Sequence, residues 1–239
     1  MKITTISSSS SGNCYLLERE GMIIVLEAGA RFDEVRRASN YRTEKITACL
    51  ISHEHQDHCQ YTDEYLNRGI DVYCSPGTKG YLGDKRLKTL PLVPEGIFAG
   101  AFNFSGFGLQ HDAADPVGFV LTYDDNKQLV YAADTGVIEQ RPKNLAILMV
   151  ECNYTREKIK KNMHDEDLGM TVAQKKRIHE NHLGLDDVLL YLDRIDTSKL
   201  EEIYLMHLSS RNSEPDKMVH RVQNLTGCPT YIAGKKGAK

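Results

Sequence analysis

From Ile51 the chain reads Ile-Ser-His-Glu-His-Gln-Asp-His, so three histidines and an aspartate fall between His53 and His58. Neutral imidazoles and a carboxylate suit zinc, manganese or iron. The absence of thiolates among them argues against a closed structural zinc site. In extended backbone, residues two apart point to one side, so His53 and His55 are placed to share an ion. Asp57 and His58 follow where the chain turns, and point to a second ion. The zincin pattern is absent, because the fourth position after His53 is Asp57 and not a histidine. His179-Glu180-Asn181-His182 misses that spacing by one residue. Cys59, beside His58, reads as a small residue opening a helix rather than as a ligand.

Such a cluster needs a rigid element behind it. Ile46 to Ile51 is a β-branched, apolar run and predicts a buried strand that ends at the ligands. Upstream, Lys2 to Ile6 predicts a strand, and Ser7 to Asn13 a tight connection. Ser9, Ser11 and Asn13 of that connection are candidates to line the rim of a site. Cys14 to Leu17 and Met22 to Leu26 predict a hairpin around Glu20-Gly21, and Phe32 to Ser39 an amphipathic helix. Tyr61 to Asn67 has helical spacing with Gly69 as its stop. Asp71 to Cys74 reads as a strand, followed by a helix from Pro76 with Ser75 as its N-cap.

Further on, Ile97 to Leu109 predicts one strand leading to His111. Phe119 to Tyr123 and Leu129 to Ala133 predict a hairpin over Asp124 to Lys127. The wholly apolar Leu145 to Val150 predicts a central strand buried on both faces. Leu185, Val188, Leu189 and Leu192 mark a helix. Ser213-Glu214-Pro215-Asp216 reads as a capping box opening a last helix, with Tyr231-Ile232 as an edge strand and Gly234 to Lys239 as a frayed tail.

The chain has 239 residues, 41% hydrophobic and 26% charged, which is ample for a substantial α/β core. A net charge of −3 gives no global basic field, so attraction for nucleic acid would have to be local. The N-terminus lacks the apolar segment of a signal peptide, and no apolar run approaches the roughly 20 residues that span a bilayer. Six cysteines without a C-x-x-C pair fit reduced thiols, so a cytoplasmic protein is expected.

The His-x-His-x-Asp-His run resembles the signature of the metallo-β-lactamase superfamily. That family's later ligand positions are occupied in order, by His111 before Asp112-Ala113-Ala114-Asp115-Pro116, by Asp134 in Ala133-Asp134-Thr135-Gly136, and by His207 in Leu205-Met206-His207-Leu208. Ser7 to Cys14, His111 to Phe119, Lys176 to Asp187 and His207 to Pro215 resemble more narrowly the YycJ/WalJ-like branch, proteins regarded as single-strand DNA exonucleases. The resemblance implies a four-layer αββα sandwich in a single domain spanning residues 1–239. It implies two divalent metal ions, Zn²⁺ or Mn²⁺, one held by His53, His55 and His111 and the other by Asp57, His58 and His207, with Asp134 bridging. Asp57 would also orient the attacking hydroxide, and His182 would serve the leaving group. Two departures from the branch stand out: Glu27 where aspartate is usual, and Asn181 and Gly184 flanking His182.

The expected activity is therefore a metal-dependent phosphodiesterase acting on single-stranded DNA. Lys175 and Lys176, in a cationic segment with Arg156, Lys158, Lys160, Lys161 and Arg177, are its candidate phosphate contacts. Glu157, Asp165, Glu166 and Asp167 are interspersed, which fits a solvated helix face equally well. The ligand set also serves hydrolases of thioesters, lactones or cyclic nucleotides. A metal site that only stabilises a binding protein is the third class.

Overall fold

The first 26 residues form an antiparallel meander whose second and third strands carry the continuous apolar runs Cys14 to Leu17 and Ile23 to Leu26, all buried. Its strands are β1 (Lys2–Ser9), β2 (Gly12–Arg19) and β3 (Met22–Leu26). The structure is a computed structural model that describes residues 1–92, 96–163 and 171–234. The chain divides into two compact units, one of Met1–Gly108, Ala113–Asn126 and Ala233–Lys239, the other of Leu109–Asp112 and Lys127–Ile232.

In the first unit the chain continues through α1 (Phe32–Ala38), β4 (Ile46–Leu50), α2 (Gln56–Cys59), α3 (Thr62–Leu66), β5 (Val72–Cys74), α4 (Pro76–Leu82) and β6 (Lys88–Thr89). The sheet order is β1-β2-β3-β4-β5-β6, parallel from β3 onward. Leu16, Val25, Cys49, Phe32, Val35 and Tyr65 pack its core. The Phe32 and Tyr65 rings meet edge to face at 5.2 Å. Ser75 caps α4 by accepting from the Thr78 amide, with Pro76 in the first turn, as expected.

The serine run differs from expectation. Ser7, Ser8 and Ser9 pair with Cys14, Asn13 and Gly12, so β1 runs through them and only Ser10 and Ser11 connect the strands. Cross-strand backbone bonds override the low strand preference of serine, and the Ser7 hydroxyl adds a bond to the Gly12 carbonyl at 2.6 Å. The expected single strand from Ile97 to Leu109 is likewise two. β7 (Ile97–Ala99) and β8 (Phe102–Gly108) pair antiparallel across a turn at Gly100, whose φ of +62° suits glycine. β9 (Val117–Tyr123) pairs antiparallel with β8. Asp124, Asp125 and Asn126 then take positive φ, which explains the polar turn after it.

The second unit is built on a parallel run of β10 (Lys127–Ala132), β11 (Leu145–Glu151), β12 (Glu202–Met206) and β13 (Thr230–Ile232). Every residue of β11 is buried, as the apolar run Leu145 to Val150 requires, and Glu151 is buried at its end. Between β11 and β12 lie α5 (Arg156–Met163), α6 (Val172–Asn181) and α7 (Leu185–Arg194), and α8 (Pro215–Thr226) precedes β13. Thr171 and Gln174 close a capping box on α6. The box expected at Ser213 to Asp216 does not form. Glu214 is the N-cap without a side-chain capping bond, because Pro215, with its preset φ, already opens the helix. The tail beyond Gly234 lies outside the described residues. Among those described, no helix is long and apolar enough to cross a membrane.

Candidate metal centre

In the first unit, β4 ends at Leu50 and hands its direction to the loop carrying His53 and His55, and α2 then presents Asp57 and His58. His53 and His58 are buried, while His55 and Asp57 are half-buried. His53 Nε2 lies 3.1 Å from His55 Nδ1, and the His53 and His58 rings are 4.2 Å apart. The Ser52 hydroxyl sits 2.9 Å from His53 Nδ1 and 3.4 Å from His58 Nδ1. Asn13 Nδ2 is 3.3 Å from Asp57 Oδ2 and 3.2 Å from His58 Nε2, so one amide spans the two.

Two further residues hold this loop in place. Glu27 is wholly buried, accepts from the Ser52 amide at 3.1 Å, and lies 3.3 Å from His58 Nδ1. A carboxylate against one imidazole nitrogen holds the ring's orientation and turns the other towards Asn13 and Asp57. The departure from aspartate at this position therefore retains an orienting acid. Gly29 packs so closely that a Cβ there would lie 1.9 Å from the Asp57 carbonyl oxygen. Glu54 turns away from zincin chemistry, accepting from the Ala114 amide at 2.6 Å and the Thr78 hydroxyl at 3.4 Å. Burial pushes the Cys59 thiol up to about 12, and it donates to the Glu54 carbonyl. Ser9 and Ser11 bond each other at 2.7 Å at the hairpin tip; of the three rim candidates only Asn13 reaches the ligand loop.

In the second unit Asp134 follows β10 and His207 follows β12. Both take positive φ, +47° and +51°, as does Glu27 at +68° after β3. Left-handed backbone at such residues costs on the order of 1–3 kcal/mol each and persists where the surroundings demand it. Here it turns each side chain out of its strand. Asn153 Nδ2 donates to the His207 carbonyl at 2.9 Å and holds that turn.

His207 Nδ1 is 2.7 Å from Asp134 Oδ1 and 3.0 Å from Glu151 Oε1. His182 Nδ1 is 2.6 Å from the same Glu151 oxygen, and Glu151 Oε2 accepts from the Thr135 amide at 3.0 Å and the Leu183 amide at 3.2 Å. The ligand atoms of Asp134, Glu151, His182 and His207 lie within 4.8 Å of one another. His111 Nδ1 is 3.1 Å from the Asn181 carbonyl, and its Nε2 is 3.9 Å from Asp134.

These contacts shift the titrations. Burial alone would lift the Glu151 carboxyl, but its two imidazole partners hold it below its usual value. Burial would lower His182, and the Glu151 charge raises it instead. Burial outweighs Asp134 at His111 and lowers it. Glu151 was not among the residues singled out from sequence. Its signal was a carboxylate closing a wholly apolar strand, a group too costly to bury without partners.

Lys175 is half-buried, whereas Lys176 is exposed and 3.6 Å from Glu180, so the structure separates the two candidates. In the second unit the nitrogen and oxygen donors of Asp134, Glu151, His182 and His207 converge without a thiolate, a set that suits a divalent cation. In the first, His53 and His55 bring two ring nitrogens within 3.1 Å.

The Beta-lactamase superfamily domain matches residues 24–208. The chain belongs to that superfamily. Over 230 residues it is 27% identical to Exodeoxyribonuclease WalJ of Streptococcus pneumoniae, covering 89% of this chain and 83% of that protein. Exodeoxyribonuclease YycJ of Bacillus anthracis is 22% identical over 230 residues, covering 89% of this chain and 84% of the relative. The superfamily member thus falls in the YycJ/WalJ-like branch. Among solved structures, the metallo-β-lactamase fold protein YhfI of Bacillus subtilis matches with a TM-score of 0.68 at 15% identity, over 97% of this chain and 95% of that one. The fold is the αββα sandwich of the superfamily, and the protein is a metal-dependent hydrolase.

Proposed function

We propose that this superfamily member is a phosphodiesterase that trims single-stranded DNA. The observation that carries the substrate class is its likeness, over 89% of its length, to proteins named exodeoxyribonucleases. In this reading the whole chain acts as one hydrolase of the cytoplasm holding two divalent ions, Zn²⁺ or Mn²⁺. His53, His55 and His111 hold one, Asp57, His58 and His207 the other, and Asp134 belongs to both. When bound, the ions supply Lewis acidity, lowering the pKa of a water and offsetting phosphate charge.

The chain's own groups do the rest. Asn13 steadies the Asp57 carboxylate, which orients the attacking water. Glu151 ties His182 and His207 to one carboxylate, so the two rings cannot turn independently. His182, its proton affinity raised by that carboxylate, donates to the departing sugar oxygen. Proton transfer of this kind is worth about 10²–10⁴-fold in rate.

The test is cleavage of end-labelled single-stranded DNA, duplex DNA, RNA and a thioester, each with Zn²⁺ and with Mn²⁺, beside elemental analysis of chelator-free protein. Single-stranded DNA should be cut fastest, with close to two ions per chain. Hydrolysis of the thioester alone, or near-absence of metal after supplementation, would overturn the reading.

A further inference from the structure

Beside the Asp134–Glu151–His182–His207 cluster lies a cavity of about 680 Å³, within the roughly 300–1,000 Å³ of ligand sites. Tyr154, Arg156, Lys160, Lys175, His179 and Asp187 line it, with Gly136 at one edge. Its walls are the same segments that deliver the site. Gly136 follows Asp134 by two residues, Tyr154 follows Glu151 by three, and His179 precedes His182 by three. A Cβ at Gly136 would lie 2.2 Å from the Glu180 carbonyl oxygen, so only glycine lets that loop close onto α6.

The cavity wall is cationic. Arg156 is partly offset by Asp186 at 3.3 Å and Asp187 at 3.5 Å. Among the described residues, neither Lys160 nor Lys175 has a carboxylate in ion-pair reach. Lys175 and His179, four apart on α6, face the cavity together. The Tyr154 hydroxyl, on a side chain with 1% exposure, lies 2.6 Å from His179 Nδ1 and 3.3 Å from Asp187. Burial and the Lys175 charge keep His179 below its usual value, so a neutral ring packs against the Tyr154 hydroxyl at the cavity wall. Two lysines and an arginine around one recess are the complement of a phosphate.

We propose that this cavity is a phosphate subsite for the nucleic-acid strand, in which Lys160, Lys175 and Arg156 meet the backbone next to the reacting phosphodiester. The assignment rests on the nuclease reading and deepens it. A strand phosphate and a free phosphate share this chemistry. The strand is favoured because the cavity shares its walls with the residues that would carry the cleavage.

The experiment titrates a fluorescent 20-nucleotide oligothymidylate by anisotropy between roughly 50 and 200 mM salt, in calcium to slow turnover. It compares the holoenzyme with Lys160→Gln/Lys175→Gln and with Lys161→Gln/Lys176→Gln, which removes equal charge from the same two helices outside the cavity. The cavity pair should lower the slope of log affinity against log salt by about 1.4, at about 0.7 per lost phosphate contact on a single strand. The outer pair should lower it by less than half as much. Equal reductions by both pairs mean diffuse attraction and overturn the subsite. Loss of inorganic-phosphate binding with the oligonucleotide slope intact overturns the strand assignment. If the wild type cuts single-stranded DNA and the cavity pair keeps its slope, only the subsite falls. If the wild type neither binds nor cuts DNA, the nuclease reading falls and the subsite with it.

Discussion

Glu151→Gln tests how the second unit's cluster is held. The glutamate is wholly buried, with two backbone amides on Oε2 and two imidazoles on Oε1. Glutamine has the same shape but one acceptor oxygen, so its NH₂ must face two donors in either orientation. If the amide faces the backbone, the Thr135 and Leu183 N–H groups lose their acceptor. At about 1–3 kcal/mol for each buried unsatisfied group, that is on the order of 2–6 kcal/mol. Even the lower figure corresponds to a fall in Tm of about 4–8 °C for a chain of this size. If the NH₂ faces the imidazoles instead, it turns both Nδ1 atoms into acceptors and sends their protons to Nε2. His207 Nδ1 then keeps only Asp134 as its carboxylate partner, at 2.7 Å, and with the orienting Glu151 bond lost metal affinity should fall about 10–100-fold. Thermal unfolding followed by circular dichroism reads the first loss, and competition against a chromophoric chelator reads the second. A variant that melts with wild type and binds metal as tightly would refute the orienting role.

His182→Ala should keep both metals and lose about 10²–10⁴-fold in DNA cleavage, while a diester with a nitrophenolate leaving group, which needs no proton, is largely spared. Equal loss on both substrates, measured by initial rates, would remove the leaving-group role. Gly29→Ala places a Cβ 1.9 Å from the Asp57 carbonyl and 2.5 Å from the Asn13 amide, so the ligand loop must move. A displacement near 1 Å costs about 10²-fold in rate, and wild-type turnover in that variant would show the loop to be less tightly held than the packing indicates.

Candidate metal-binding residues could be read from the chain because the capacity to ligate is set by residue type. His53, His55, Asp57 and His58 stand together after an apolar strand, and the later histidines and Asp134 each close a strand-like run. Strands such as β11 could be read for a similar reason, since six consecutive buried apolar residues before Glu151 leave no polar face to misassign. Hairpin boundaries were less legible. The serines of β1 carry no apolar alternation, and their strand comes from pairing with Gly12 to Cys14.

What orients these candidate ligands was settled only in three dimensions. Glu27 and Glu151 are far in sequence from most of the groups they bond, and a lone acid after a strand is uninformative until its donors are located. Lys175 and Lys176 are indistinguishable as neighbouring cations. Successive helical residues point about 100° apart, so one lines a cavity and the other meets solvent and Glu180. Residue identity determined which atoms could bind a metal, and the placement of buried partners decided which nitrogen of each ring is held and which charges a substrate can reach.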